Sequence, residues 1–471
     1  MLFNSYAFLI FMIVTFIVYY LPWSFFKKNQ IYTLIIASFF FYAYERPLLL
    51  LLLVFSVLIN SIFSFSVYKV KKQHVKKILL FGVMFNISLL AFFKYSPLIA
   101  SSLAGDLSLN NGVAHFLMTI PLPIGISFYT FEGVSLLMDL YKGKTILNLQ
   151  TSSFTEHFKK TAFFISFFPH LIAGPILKAR EFYPQMETKY FQDIKWSNAF
   201  KKIILGFFLK MVLADNLNEI TATMQYPFFL GFSTGNLVLL LLGYSMQIFA
   251  DFAGYSLIAI GLGALLGYNL PDNFNFPYIS SSFSEFWRRW HISLSTWLRD
   301  YLYIPLGGSR KGEFRTYINL FIVMFLGGLW HGAAWSYAIW GSMHGLALMI
   351  ERFILKDKLD HNKRSAFGIA YVFITITILW LMFKLTNFSH VLAYLKAIYT
   401  NIHLPFKLGM DQISIIAYGL GVVVYHAFYL LKDTNLYPKV YPKLDVITYG
   451  CMLFFIMVNS GSAGAFIYFQ F

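Results

Sequence analysis

From Pro47 to Val67 the chain carries no charged side chain, and Ala7–Phe25 before it carries none either. About 20 apolar residues in a row are enough to cross the hydrocarbon of a bilayer. Comparable runs follow at Ile31–Tyr44, Ile78–Leu98, Phe116–Leu140, Ile203–Met224, Leu237–Leu266, Tyr317–Trp335, Phe367–Leu385, Ile413–Leu431 and Val446–Phe469. Lipid offers no partner to an exposed peptide group, so the spanning pieces must be helices. The expected fold is all-α: a polytopic membrane bundle of roughly eleven transmembrane helices, with re-entrant or interfacial helices besides. No long soluble insert, linker or repeat of fixed period interrupts residues 1–471, so a single membrane-embedded domain is expected. With 58% hydrophobic and only 12% charged residues, an ordinary soluble domain is excluded.

The formal net charge of +16 would suit nucleic acid, but its distribution argues against that partner. Lys27 and Lys28, then Lys69, Lys71, Lys72, Lys76 and Lys77, sit at alternate span ends, as expected for loops facing the cytoplasm. Counted along the chain, that rule places the N-terminus outside, the 27–30 loop inside and the C-terminal end outside. Two segments, Thr161–Leu177 and Tyr317–Glu351, have basic residues at both ends and read as re-entrant, with His331 near the deepest point of the second. The start, MLFNSYAF, lacks a basic n-region, so the first span is expected to be retained. The lone cysteine, Cys451, excludes an intrachain disulfide.

Charge inside such a chain is costly and reports function. It concentrates between Phe283 and His344. The stretch Phe283–Tyr303 has helical spacing, with His291, Leu294 and Leu298 three and four apart, and Arg288 and Arg299 eleven apart on one expected face. Arg288, Arg289, Trp290 and Arg299, with Arg310, Lys311 and Arg315 of the basic loop beyond, suit a phosphate-bearing donor such as acetyl-coenzyme A, because guanidinium groups bind phosphate bidentately. The plainer reading is a helix that holds anionic lipid headgroups.

His331, in GGLWHGAAW, is the leading candidate for a general base, since a neutral imidazole accepts a proton near neutral pH. Buried histidines are often plain packing residues, but His291 and His344 lie embedded nearby in sequence. Trp330 is expected to wall the site, and Asp251 and Tyr255 of FADFAGYS to line a cavity, orient a histidine or bond to a neighbouring helix. HExxH and HxxxH spacings are absent, so no metal is expected; nor is there a Gly-x-Ser-x-Gly elbow.

Five stretches together carry a resemblance: LPIGISFYTFEG (Leu122–Gly133), FFPHLIAGPI (Phe167–Ile176), DFAGYS (Asp251–Ser256), the long motif Asn273–Gly308 and GGLWHGAAWSYAIWGSMHG (Gly327–Gly345). In these the chain resembles the membrane-bound O-acyltransferase (MBOAT) family, in its bacterial branch of alginate and peptidoglycan O-acetyltransferase membrane components. The resemblance implies a helical bundle with a central tunnel, acyl transfer from a thioester, His331 as principal catalytic residue and His291 as the second. It implies Tyr468, in the tail FIYFQF, as an extracytoplasmic acyl carrier. It further implies a multi-pass protein of the bacterial inner membrane, acetyl-coenzyme A as donor substrate with no cofactor, and a hydrolase-like (SGNH) acetyltransferase partner outside. The expected function is O-acetylation of a cell-wall or exported polysaccharide, peptidoglycan or alginate-like. The alternatives are a flippase for a polysaccharide or lipid-linked intermediate, and transfer of D-alanine to teichoic acid.

Overall fold

The computed structural model describes residues 1–103, 111–143, 153–355, 365–432, 437–462, 464 and 466. Among them helices dominate and no strand occurs. Five helices are long and apolar enough to cross a membrane: Pro47–Val67, Lys72–Ala100, Thr234–Leu265, Ala366–Lys384 and Met410–Leu430. Tyr6–Tyr19, Gln30–Ala43 and Leu444–Val458 are apolar but shorter. This is the pattern of a multi-pass membrane protein. The chain divides into two compact units, Met1–Phe200 with Ala259–Pro271, and Lys201–Ile258 with Asp272–Phe471.

In the first unit Pro47 begins its helix in the first turn, where its missing N–H costs nothing. The run Phe116–Leu140, expected as one span, is broken into Asn111–Thr119 and Ile126–Tyr141. Pro121 and Pro123 interrupt it, and Gly125 takes φ 77° where a Cβ would lie 2.6 Å from the Leu171 carbonyl oxygen. Within its largely apolar interior this unit also buries polar pairs. Asn60 and Asn86 exchange amide bonds of 3.1 and 2.8 Å. Gly133 lies against them, where a Cβ would stand 2.5 Å from Asn60 Oδ1. His170 Nδ1 lies 2.9 Å from Glu132 Oε1, both side chains fully buried. The Thr161–Leu177 stretch leaves its helix at Ser166, makes one short turn at Phe168–Leu171 and then runs without helix to Lys178, buried throughout. Irregular backbone at such depth is tolerated only where protein surrounds it.

The second unit departs from expectation at Ile203–Met224. The helix Trp196–Phe207 passes into a π-helical turn, Phe208–Ala214, and resumes as Asp215–Thr221. Lys210 and Asp215 fall at this bulge, so it is not a plain span. The helices Glu313–His331 and Trp335–Leu355 form a hairpin around Gly332–Ala334. Its arms touch backbone to backbone, since a Cβ on Gly328 would meet Gly341 Cα at 2.9 Å and one on Gly345 would meet Phe321 Cα at 3.2 Å. Gly332 lies so close beneath the Tyr337 ring that no Cβ fits there. This hairpin carries His331 at its turn.

Candidate active site

The segment Phe283–Tyr303 is not one helix. Phe283–Arg289 and Ile292–Leu298 are separate helices, followed by a π-helical turn, Arg299–Tyr303. The eleven-residue spacing therefore does not place Arg288 and Arg299 on one helix face. Ser282 caps the first helix by accepting from the Glu285 amide at 3.0 Å, and the Glu351 carboxylate takes the Phe283 and Ser284 amides at 2.5 and 2.9 Å. The chain turns at His291, which has φ 44° in the left-handed region, unusual for a non-glycine residue. Asn273 holds that conformation. Its carbonyl accepts from the Ile292 amide at 2.9 Å, and its side-chain oxygen takes the Ser293 amide and hydroxyl at 3.2 and 2.9 Å.

The kink makes the buried His291 ring the cap of the second helix, with Nδ1 accepting from the Leu294 amide at 3.3 Å. A neutral imidazole whose Nδ1 lone pair is so engaged carries its proton on Nε2. His291 is thus set up as a donor.

The His331 ring centroid lies 6.3 Å from that of His291. Trp330, Phe383 and Trp340 surround it at 5.0, 5.1 and 5.3 Å. His344, fully buried, continues the row, 4.5 Å from Trp340 and 5.1 Å from Trp287. The hairpin thus brings all three candidate histidines into one ring-walled cluster. Among the described residues neither nitrogen of His344 has a hydrogen-bond partner, nor do the indole nitrogens of Trp287 and Trp340. Several orphaned donors close together mark a place where something else supplies the bonds. Trp290 packs among Trp380, Phe274 and Phe286 at 4.9, 5.0 and 5.5 Å.

The basic residues divide in two groups. Arg289 is engaged in the fold: its Nε lies 2.9 Å from Glu285, its Nη1 donates to the Asn275 carbonyl at 2.9 Å, and its guanidinium lies over the Tyr429 ring. Arg288, Arg299, Arg310 and Lys311 are exposed, Arg299 beside Asp300 at 2.8 Å, and Arg315 is half-buried.

Residues 35–391 match the membrane-bound O-acyltransferase family. The chain belongs to that family. It is 40% identical to the probable alginate O-acetylase AlgI of Pseudomonas putida over 396 residues, 82% of this chain and 78% of the relative. It is 36% identical to the peptidoglycan O-acetyltransferase of Helicobacter pylori over 430 residues, 84% of this chain and 79% of the relative. The teichoic acid D-alanyltransferase of Bacillus subtilis is 33% identical over 244 residues, 50% of this chain and 60% of the relative. This membrane-bound O-acyltransferase is therefore an acyltransferase, and the flippase alternative finds no support among such relatives.

The acyltransferase also buries charges that spacing alone did not join. Asp251 pairs with the Lys210 ammonium at 2.7 Å, and Lys210 takes Asp215 at 2.7 Å as well. Tyr255 stacks on Phe466 with ring centroids 4.5 Å apart. The C-terminal segment runs along this region. Ser462 donates its amide and its hydroxyl to the exposed Glu219, and these two bonds hold that carboxyl below the usual carboxylate range. Tyr468 lies outside the described residues. Trp340 and Phe383 were not singled out from sequence, because rings at helical spacing in an apolar run look like lipid-facing or core residues. Lys210 and Asp215 did carry a signal, two charges inside an apolar run.

Proposed function

We propose that this protein transfers an acetyl group from acetyl-coenzyme A, bound from the cytoplasm, to an extracytoplasmic acceptor that feeds O-acetylation of peptidoglycan or an alginate-like polysaccharide in a bacterial inner membrane. The observation that carries it is the pair His291 and His331, ring centroids 6.3 Å apart, one a fixed Nε2–H donor and the other walled by rings. In this reading the thioester carbonyl lies beside the two rings, with its oxygen about 3 Å from the His291 donor. An acceptor hydroxyl oxygen attacks the carbonyl carbon while His331 takes the hydroxyl proton. The tetrahedral intermediate collapses, the C–S bond breaks, and the proton passes from His331 to the leaving thiolate. The products are the O-acetyl ester and free coenzyme A thiol. His291 stabilises the oxyanion throughout.

The exposed Arg288, Arg299, Arg310 and Lys311 suit the nucleotide phosphates. The indoles of Trp287 and Trp340 and the His344 ring, without hydrogen-bond partners among the described residues, suit a tunnel holding the pantetheine arm, whose amides need bonds. Tyr468 is the acceptor hydroxyl in this reading, and a hydrolase-like acetyltransferase outside would move the acetyl onward to sugar. The names of the Pseudomonas and Helicobacter relatives favour acetyl over D-alanyl, the Bacillus likeness being confined to half of this chain. Two measurements test the reading. Purified protein with acetyl-coenzyme A should release free thiol, and cells lacking the protein should lose ester-linked acetate from wall or secreted polysaccharide. Unchanged acetate and no thiol would reject it.

A further inference from the structure

Lys210, Asp215 and Asp251 form a buried ion cluster in the second unit, with side chains 6, 1 and 5% exposed. One ammonium bridges two buried carboxylates. Buried charges are expensive unless they are paired and hydrogen-bonded. The C-terminal segment joins the cluster: Lys210 Nζ donates to the Gly464 carbonyl at 3.3 Å. The same segment is pinned at three other points. Asn216 Nδ2 donates to the Asn459 carbonyl at 3.0 Å, the Gly461 amide donates to the Met211 carbonyl at 2.9 Å, and Glu219 takes Ser462.

Glycine is required where the strand of chain touches the short helix. A Cβ on Gly461 would lie 2.7 Å from the Asn216 backbone nitrogen and 2.8 Å from the Asp215 carbonyl carbon. Beyond these contacts Phe466 is fully buried, stacked on Tyr255 and 5.8 Å from Phe252. The Phe252 ring in turn stands 4.7 Å from His291. The segment is therefore led from the ion cluster to within one ring of the catalytic pair.

We propose that Lys210, Asp215 and Asp251 are positioning residues, a latch that holds the C-terminal segment so that Phe466 is kept one ring away from His291. This deepens the proposed function, because it takes the acyl acceptor to be carried on that segment. The latch accounts for a charged cluster that neither packing nor proton transfer at the histidines needs. It also explains why the segment bears glycine at 461, where a Cβ would meet the Asp215–Asn216 backbone.

Hydrogen exchange of full-length protein in lipid nanodiscs tests it, read on the peptide covering 459–466 and paired with acetate transferred to exported polysaccharide in cells. In wild type the Gly461 and Ser462 amides should exchange slowly. Lys210→Met should speed that exchange about tenfold or more, as expected for a lost charged hydrogen bond, and cut polysaccharide acetate comparably. Lys210→Arg should restore both. Gly461→Ala, on the half-buried segment itself, should loosen the peptide in the same way and serves if Lys210→Met fails to fold. Unchanged exchange in the folded variants overturns the latch, as does faster exchange with acetate at the wild-type level. Failure of wild type to release thiol from acetyl-coenzyme A would reject the donor reading instead, and leaves the exchange result to be judged on its own.

Discussion

The two units bury imidazoles in different company. In the first, His170 sits 2.9 Å from the Glu132 carboxylate and His157 shares a 2.6 Å hydrogen bond with Ser64, each ring held by a polar neighbour supplied by the fold. In the second, His331 and His344 stand among indoles and phenyl rings, and His291 spends one nitrogen on its own helix. A carboxylate beside an imidazole locks it into a structural pair, whereas aromatic rings pack against the imidazole face. Burial of a histidine thus tells little until its neighbours are known.

If this contrast is sound, mutations in the two regions should fail in different ways. His331→Ala should lower thiol release from acetyl-coenzyme A by about 10²–10⁴-fold, the usual contribution of a general base, while the protein still elutes as a single folded species. Near-normal turnover would erase the distinction from the catalytic side. Glu132→Ala should do the reverse. Stranding His170 without its partner should cost about 3–5 kcal/mol of stability, seen as a lowered melting temperature, with turnover per folded molecule kept.

His291→Ala should cost about 10²–10³-fold in turnover, the loss expected for one oxyanion donor. His291→Asn should recover part of it, because asparagine tolerates the left-handed backbone and can still donate. The smallest effect belongs to the exposed loop. Arg310→Ala with Lys311→Ala should raise KM for acetyl-coenzyme A about two- to fivefold with kcat unchanged, and added salt should shrink the difference. A change in kcat there would move the loop into the chemistry.

Much of this was legible in the residues, and the exceptions share a cause. Apolar runs and their lysine-rich ends specify a helical membrane protein, and two histidines in a charged stretch point to the site. The breaks at Pro121–Gly125, at Lys210–Asp215 and at His291 depend less on local propensity. Prolines announce the first, but the π-helical turn and the left-handed histidine are held by tertiary partners, Asp251 for one and Asn273 for the other. Nothing near His291 in sequence says that the chain must kink there. Likewise Phe383 reads as one more apolar residue until folding sets it 5.1 Å from His331. The basic residues were gathered by their sequence proximity, which did not separate Arg289, tied into the fold, from Arg310 and Lys311 at the surface.

The most direct test of the catalytic pair is a structure with a non-hydrolysable acetyl-coenzyme A analogue in which the thioester sulfur is replaced by methylene. The carbonyl oxygen should lie within hydrogen-bond reach of His291 Nε2, about 3 Å, with the carbonyl carbon facing His331. An analogue bound with its acetyl group touching neither ring would contradict the account.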